Sequence, residues 1–267
     1  MHGIRSFLVT LALAAAINAA SLAAAELNAV TGEWQSWRGP HRDALCPETG
    51  LLKRWSTAGP PLAWRVDGLG SGFSSVVVSD GRIFTMGARK EGTFLIALDV
   101  QNGRELWATR VGGDDPNCTP TVDGDLVYAL GKGGELLCAE TATGREVWRT
   151  DFQQDFDGKM MSHWGYSESP LVDGDRLIVT PGAPDAMLAA LDKQTGRVIW
   201  RTAVPEEIGD RGAGYSSVVI SEAAGTRQYV QLVGDGLISV AADDGRLLWS
   251  YARIANGTAN IPTPIVD

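Results

Sequence analysis

Histidine is the scarcest chemically versatile residue in this 267-residue chain: only His2, His41 and His163 occur, so a multi-histidine zinc centre cannot be assembled from it. Basic charge is also in deficit, with 23 Lys+Arg against 32 Asp+Glu. That balance leaves no positive excess to neutralise phosphates and argues against nucleic acid or an anionic membrane surface as the main partner. Cysteine is limited to Cys46, Cys118 and Cys138, an odd number that leaves at least one thiol unpaired. Beyond residue 25 no stretch is long and apolar enough to span a membrane, and none carries apolar residues at helical spacing over three turns. There is no Gly-x-Ser-x-Gly elbow to support serine hydrolysis. What is plentiful is apolar residue, 44% of the chain, enough for one large domain with a full core.

The first 25 residues read as a leader. Arg5 supplies the positive n-region, Phe7 to Ala20 is almost wholly apolar, and Ala23-Ala24-Ala25 before Glu26 fits the small-residue rule for cleavage. The apolar run falls short of the roughly 20 residues of a spanning helix, so a signal peptide is favoured over an anchor. The expected organisation is therefore a signal peptide over 1–25, an N-terminal extension over 26–61 and a repeat domain over 62–267. An exported chain, periplasmic or extracellular, permits disulfides. Cys118 and Cys138 nevertheless fall on non-neighbouring strands of the repeat, and all three cysteines are expected as small core thiols.

The repeat is the main signal. Leu95 to Trp107, Leu136 to Trp148, Leu188 to Trp200 and Leu237 to Trp249 superpose, and in each a glycine (Gly103, Gly144, Gly196, Gly245) precedes the tryptophan by four residues. The Trp-to-Trp intervals of 41, 52 and 49 residues are those of propeller blades. Upstream of each lies a β-rich run broken by a turn: Asp80-Gly81, Asp123-Gly124, Asp173-Gly174 and, in the fourth unit, a longer connection before Gln228. Asp-Gly between β-branched runs is a strong hairpin signal and predicts both residues at the turn centre. Each unit is thus four strands, A to D, and the fold class is all-β, a propeller of four-stranded antiparallel blades. Such a meander buries both faces only by stacking on its neighbours, which gives Trp107, Trp148, Trp200 and Trp249 a structural role between blades. Pro61 to Val66, with Trp64, reads as an isolated D strand, and Ile261 to Asp267 as the A strand of a fifth unit. The expectation is four blades plus the start of a fifth, a fragment of a seven- or eight-bladed ring.

The Ala97-x-Asp99-x-x-x-Gly103-x-x-x-Trp107 pattern, repeated at Ala190 to Trp200, resembles the tryptophan-docking motif of PQQ-type, quinoprotein alcohol dehydrogenase-like propellers. Trp34-Gln-Ser-Trp37-Arg38-Gly39-Pro40, Trp164-Gly-Tyr-Ser-Glu-Ser-Pro170 and Asn256-Gly-Thr-Ala-Asn-Ile-Pro262 look like the exported PQQ-like repeat proteins of planctomycete-type bacteria. The resemblance implies a propeller, and it spans calcium- and PQQ-dependent dehydrogenases as well as a non-catalytic propeller lipoprotein of the outer-membrane β-barrel assembly machinery. The methanol-dehydrogenase type has an adjacent cysteine pair against the quinone; this chain has no two adjacent cysteines.

Propeller sites lie where inner strands and their entry loops meet the central channel. Aligning the A strands on their turns makes Ser75, Cys118, Glu168, Ser217 and Pro262 equivalent, with Glu168 the one carboxylate, at the channel rim. Two long D-to-A connections carry Lys159, His163, Trp164, Tyr166, Asp210, Arg211 and Tyr215 and form the candidate binding face. His163 with Glu168 reads as an acid/base pair, as two metal ligands, or as an exposed loop histidine beside a carboxylate satisfied by backbone amides. No catalytic residue, metal ligand or cofactor is assigned. The leading expectation is an exported, non-catalytic binding or scaffold propeller for an envelope protein, peptide or glycan. The alternative is a PQQ- and calcium-dependent oxidoreductase, and a carbohydrate-active propeller would need a second acid facing Glu168.

Overall fold

The computed structural model describes residues 32–46 and 48–266; the segment 1–25, read from sequence as a signal peptide, lies outside them. Among these residues sixteen strands form four antiparallel sheets, each in the order of the chain. The first is β1 (Val77–Ser79), β2 (Arg82–Arg89), β3 (Gly92–Asp99) and β4 (Glu105–Gly112). The second is β5 (Thr121–Asp123), β6 (Leu126–Leu130), β7 (Glu135–Glu140) and β8 (Glu146–Asp151). The third is β9 (Leu171–Asp173), β10 (Arg176–Val179), β11 (Ala189–Asp192) and β12 (Val198–Arg201), and the fourth is β13 (Val219–Ser221), β14 (Gln228–Val233), β15 (Gly236–Ala241) and β16 (Leu247–Tyr251). These are propeller blades. Two short helices, α1 (Phe152–Phe156) and α2 (Glu206–Gly209), sit in the D-to-A connections after the second and third blades.

The core lies between blades. Because side chains alternate across a strand, Leu177 and Val179 of β10 join Tyr128, Leu136 and Trp148 of the second blade, while Ile178 joins Tyr229, Ile238 and Val240 of the fourth. Middle strands are therefore covered on both faces, and all five residues of β6 are buried.

The tryptophans complete these interfaces. Each C-to-D turn ends on a glycine with φ between +70° and +72° (Gly103, Gly144, Gly196, Gly245), whose missing Cβ leaves room for an indole, that of Trp64 in the segment before the first blade and that of the preceding blade in the other three. A Cβ at Gly196 would stand 2.7 Å from Trp148 Cδ2, and Trp64, Trp107 and Trp200 lie equally close over Gly103, Gly144 and Gly245. Trp64, Trp107 and Trp148 also donate Nε1–H to the carbonyls of Val100, Thr141 and Lys193, at 3.2, 3.1 and 3.0 Å. In the fourth turn the equivalent carbonyl, Ala242, accepts instead from Arg176, and the buried Trp200 Nε1 has no partner. Trp249 has no following blade to dock on among the described residues; it is 43% exposed and donates to Gln228 Oε1.

Neither Pro61 to Val66 nor residues 261–266 form a strand, against expectation, and two further expectations need correction. In the first blade Ser79 pairs with Arg82, and Asp80 (φ +47°) and Gly81 (φ +71°) form the turn as expected. In the second and third, Asp123 pairs with Leu126 and Asp173 with Arg176, so the turns are Gly124-Asp125 and Gly174-Asp175, with glycine leading as a II′ turn requires. The aspartates are drawn into the strands because they tether the next blade: Asp123 pairs with Lys193 at 2.5 Å, and Asp173 binds Arg227 at 2.7 Å and the Tyr229 hydroxyl at 2.7 Å. Second, Cys118 and Cys138 are buried free thiols, but Cys46 is an exposed thiol on the polar N-terminal segment rather than a core residue.

Candidate functional site

The shifted turns change which residues meet the channel. Counting back from the last A-strand residue, Ser75 is equivalent to Thr119, Ser169 and Ser217, not to Cys118 and Glu168. A slip of one residue sends a strand side chain to the opposite face. The hydroxyls form a chain from blade to blade: Ser75 N donates to Thr119 Oγ1 at 3.2 Å, Thr119 N to Ser169 Oγ at 3.2 Å, and Ser169 N to Ser217 Oγ at 3.0 Å. Cys118 turns instead into the apolar cluster between the second and third blades and contacts the Tyr166 carbonyl.

Glu168 is 2% exposed and turned away from the rim. Its two carboxylate oxygens accept from Thr180 N and Thr180 Oγ1, each at 2.5 Å, and Gln231 Nε2 carries the network on to Thr180 Oγ1 and the Ser216 carbonyl of the fourth blade. Burial pushes its pKa up to about 7, against the lowering effect of the Thr180 bonds and of the Arg42 charge. His163 is exposed and contributes nothing to this network. Satisfaction by a neighbouring amide and hydroxyl, one of the readings open from sequence, describes the carboxylate.

The two long connections form a braced platform at the same end of the blades. Trp164 is 44% exposed, with its ring centroid 5.7 Å from Tyr215 and 5.0 Å from His163. Asn117 Nδ2 holds the Trp164 carbonyl at 2.9 Å, and the Ser162 and Tyr215 hydroxyls bond to each other. Tyr166 and Tyr215 are buried supports, the former donating to the Pro181 carbonyl at 2.8 Å. Met160 bridges Ala213, joining the two connections beside the exposed Lys159. Arg211 is committed to Asp235 (2.5 Å) and to the Asn256 carbonyl (2.7 Å), and Asp210 is exposed at the end of α2. Trp164 and His163, with Lys159 and Asp210, are thus the accessible members of the candidate set.

Sequence reasoning missed Arg42. The N-terminal segment is a strap across the inner strands: Trp34 exchanges backbone hydrogen bonds with Val78 at 2.8 and 3.0 Å, and Val122 N donates to Gln35 O at 2.8 Å. Arg42, 6% exposed, donates from Nη2 to Ser169 O at 2.7 Å and from Nη1 to Pro170 O at 3.0 Å. Burial lowers its pKa to about 10, with Glu168 opposing and Arg38 adding to the drop. An arginine in a Gly- and Pro-containing stretch reads as solvated, so no signal marked it.

With this geometry, comparison with known proteins is informative. A family model described as "Outer membrane protein assembly factor BamB" matches residues 48–131 and 95–267. The chain belongs to that repeat family. It is 30% identical over 141 residues to an outer membrane protein assembly factor BamB of Burkholderia pseudomallei, covering 53% of this chain and 34% of the relative. It is 27% identical over 271 residues to the quinohemoprotein alcohol dehydrogenase ADH IIB of Pseudomonas putida, covering 92% and 37%. The chain thus spans about a third of the length of these relatives. Among solved structures, BamB from Moraxella catarrhalis matches with a TM-score of 0.53 at 17% identity, covering 72% of this chain and 55% of that one. A europium-containing methanol dehydrogenase matches with 0.53 at 16%, covering 68% and 42%. At these identities the structural likeness speaks for the propeller fold.

Quinone-dependent relatives raise the question of fit. Calcium takes six to eight oxygens, several from carboxylates. Among the described residues no three His, Cys, Asp or Glu side chains converge, Glu168 is turned from the channel with both oxygens engaged, and the cation nearest to it is a buried guanidinium. The described residues of this arc thus offer no carboxylate cluster for calcium.

Proposed function

We propose that this chain is part of an exported, non-catalytic propeller of the cell envelope, which uses its D-to-A loop face to hold a protein, peptide or glycan partner. One observation carries the reading: an accessible aromatic of the long connections, Trp164, packs on Tyr215 and His163 with its carbonyl held by Asn117, whereas the carboxylate beneath is spent on Thr180. A preorganised aromatic on a rigid scaffold suits recognition, since little ordering entropy remains to be lost on binding. The BamB relatives, named as outer-membrane assembly factors, support a scaffold role in the envelope. Among the described residues no helix is long and apolar enough to cross a membrane.

The test has two arms. The chain is incubated with PQQ and Ca²⁺ and passed through gel filtration, and dye reduction with alcohols is measured; the expected result is no retained quinone and no turnover. In parallel, photo-crosslinking from the loop face in envelope extracts is compared between the wild type and Trp164→Ala, which is expected to lose its adducts. Retained quinone with turnover, or adducts indifferent to Trp164, overturns the proposal.

A further inference from the structure

The strap presents an unusual concentration of strain and charge where it crosses the inner strands of the third and fourth blades. Among the described residues six non-glycine residues have positive φ, and three of them, Arg38 (+65°), Arg42 (+57°) and Ala44 (+63°), fall within seven positions. Such conformations cost free energy and persist where the surroundings hold them, often at ligand sites. Here they turn Arg38, His41 and Arg42 toward one cavity of about 370 Å³. Its walls include Leu171, Val219 and Ile220 from the inner strands of the third and fourth blades.

The cationic side of this cavity is incomplete. Arg42 Nε is buried with no hydrogen-bond partner, although both Nη groups are satisfied. Arg38 and His41 make no side-chain hydrogen bond or ion pair among the described residues, and the Arg38 charge lies near enough to Arg42 to be felt by it. The acid on the lining, Asp43, accepts from Leu45 N at 2.9 Å. Glu168 offsets part of the Arg42 charge, but with Arg38 beside it and one buried N–H orphaned, the pair still lacks a negatively charged acceptor on the cavity side. The aliphatic walls demand apolar surface.

We propose that the cavity between the strap and the inner strands of the third and fourth blades is a binding site for a small organic anion, a carboxylate carried on an aliphatic body. The carboxylate meets Arg42 Nε–H and the Arg38 guanidinium, and the aliphatic body lies along Leu171, Val219 and Ile220. The lining shares no residue with the loop-face set Lys159, His163, Trp164 and Asp210, so its test is independent of the function proposed above.

The experiment is calorimetric titration of the full chain at low ionic strength with sodium hexanoate, hexan-1-ol and sodium sulfate. Hexanoate is expected to bind with a Kd below about 1 mM, and the neutral alcohol and the inorganic anion each at least about tenfold more weakly, because each meets only one of the two demands. Arg38→Gln, at a half-buried position outside any hydrogen bond, is expected to weaken hexanoate by about tenfold or more while leaving the urea midpoint unchanged. No heat with hexanoate, alcohol or sulfate binding as well as hexanoate, or Arg38→Gln binding like the wild type overturns the proposal.

Discussion

Gly196 offers the sharpest handle on how the blades are joined. Gly196→Ala forces an L-residue to φ +71° and pushes a methyl to 2.7 Å from the nine-tenths-buried Trp148 ring. The left-handed conformation alone costs about 1–2 kcal/mol, and displacing a packed indole adds about 1–3 kcal/mol of overpacking strain. Gly81→Ala is the control, because Gly81 also has φ +71° and has nothing within 4 Å of a new Cβ, so only the backbone cost applies. In urea denaturation, Gly196→Ala should lose about 1–3 kcal/mol more than Gly81→Ala, with an unchanged m-value. Trp148→Ala, itself costing about 3–5 kcal/mol, should reduce the Gly196→Ala penalty to that of the control, since the two residues are in direct contact. Equal penalties at Gly196 and Gly81 in the wild-type background would refute the docking argument.

Two further outcomes follow from the buried groups. Glu168 titrates near 7 in the native state against an ordinary value near 4.5, so the native state holds a proton that the unfolded chain has lost. Its contribution is fully present below pH 4.5 and is lost as pH rises through 7, a decline of about 3 kcal/mol; Glu168→Gln should abolish that part of the slope in denaturation series from pH 4.5 to 8, and an unaltered slope would contradict the assignment. Thiol labelling of the native chain should modify Cys46 alone, because burial raises the Cys118 thiol and pushes Cys138 up to about 12, with all three reacting after unfolding; rapid native labelling of Cys118 or Cys138 would contradict the packing between blades.

The fold was legible because its determinants are periodic. A glycine four residues before a tryptophan, recurring with each blade, records a contact between consecutive blades, and each such contact is made by residues that sequence alone can align. The site was less legible because it depends on register. Asp-Gly is a turn centre at Asp80 but a strand end followed by a turn at Asp123 and Asp173, and the choice is made by Lys193 and Arg227 in the following blade. That single-residue shift moved Glu168 from the channel rim to the interface between blades. Arg42 was invisible for a related reason: its burial comes from carbonyls more than a hundred residues away, at Ser169 and Pro170. His163 and Trp164 were found as loop residues, but the bracing by Asn117 and Tyr215 that makes Trp164 rigid is tertiary.

The indole N–H groups report most directly on the claim that each tryptophan docks on the blade that follows. Hydrogen exchange at Nε1, followed by NMR on the native chain, should be slow for Trp107 and Trp148, whose protons are held by the Thr141 and Lys193 carbonyls, and should track global unfolding as urea is added. Trp55, 66% exposed, supplies the free rate. Exchange at Trp107 and Trp148 as fast as at Trp55 would contradict the account.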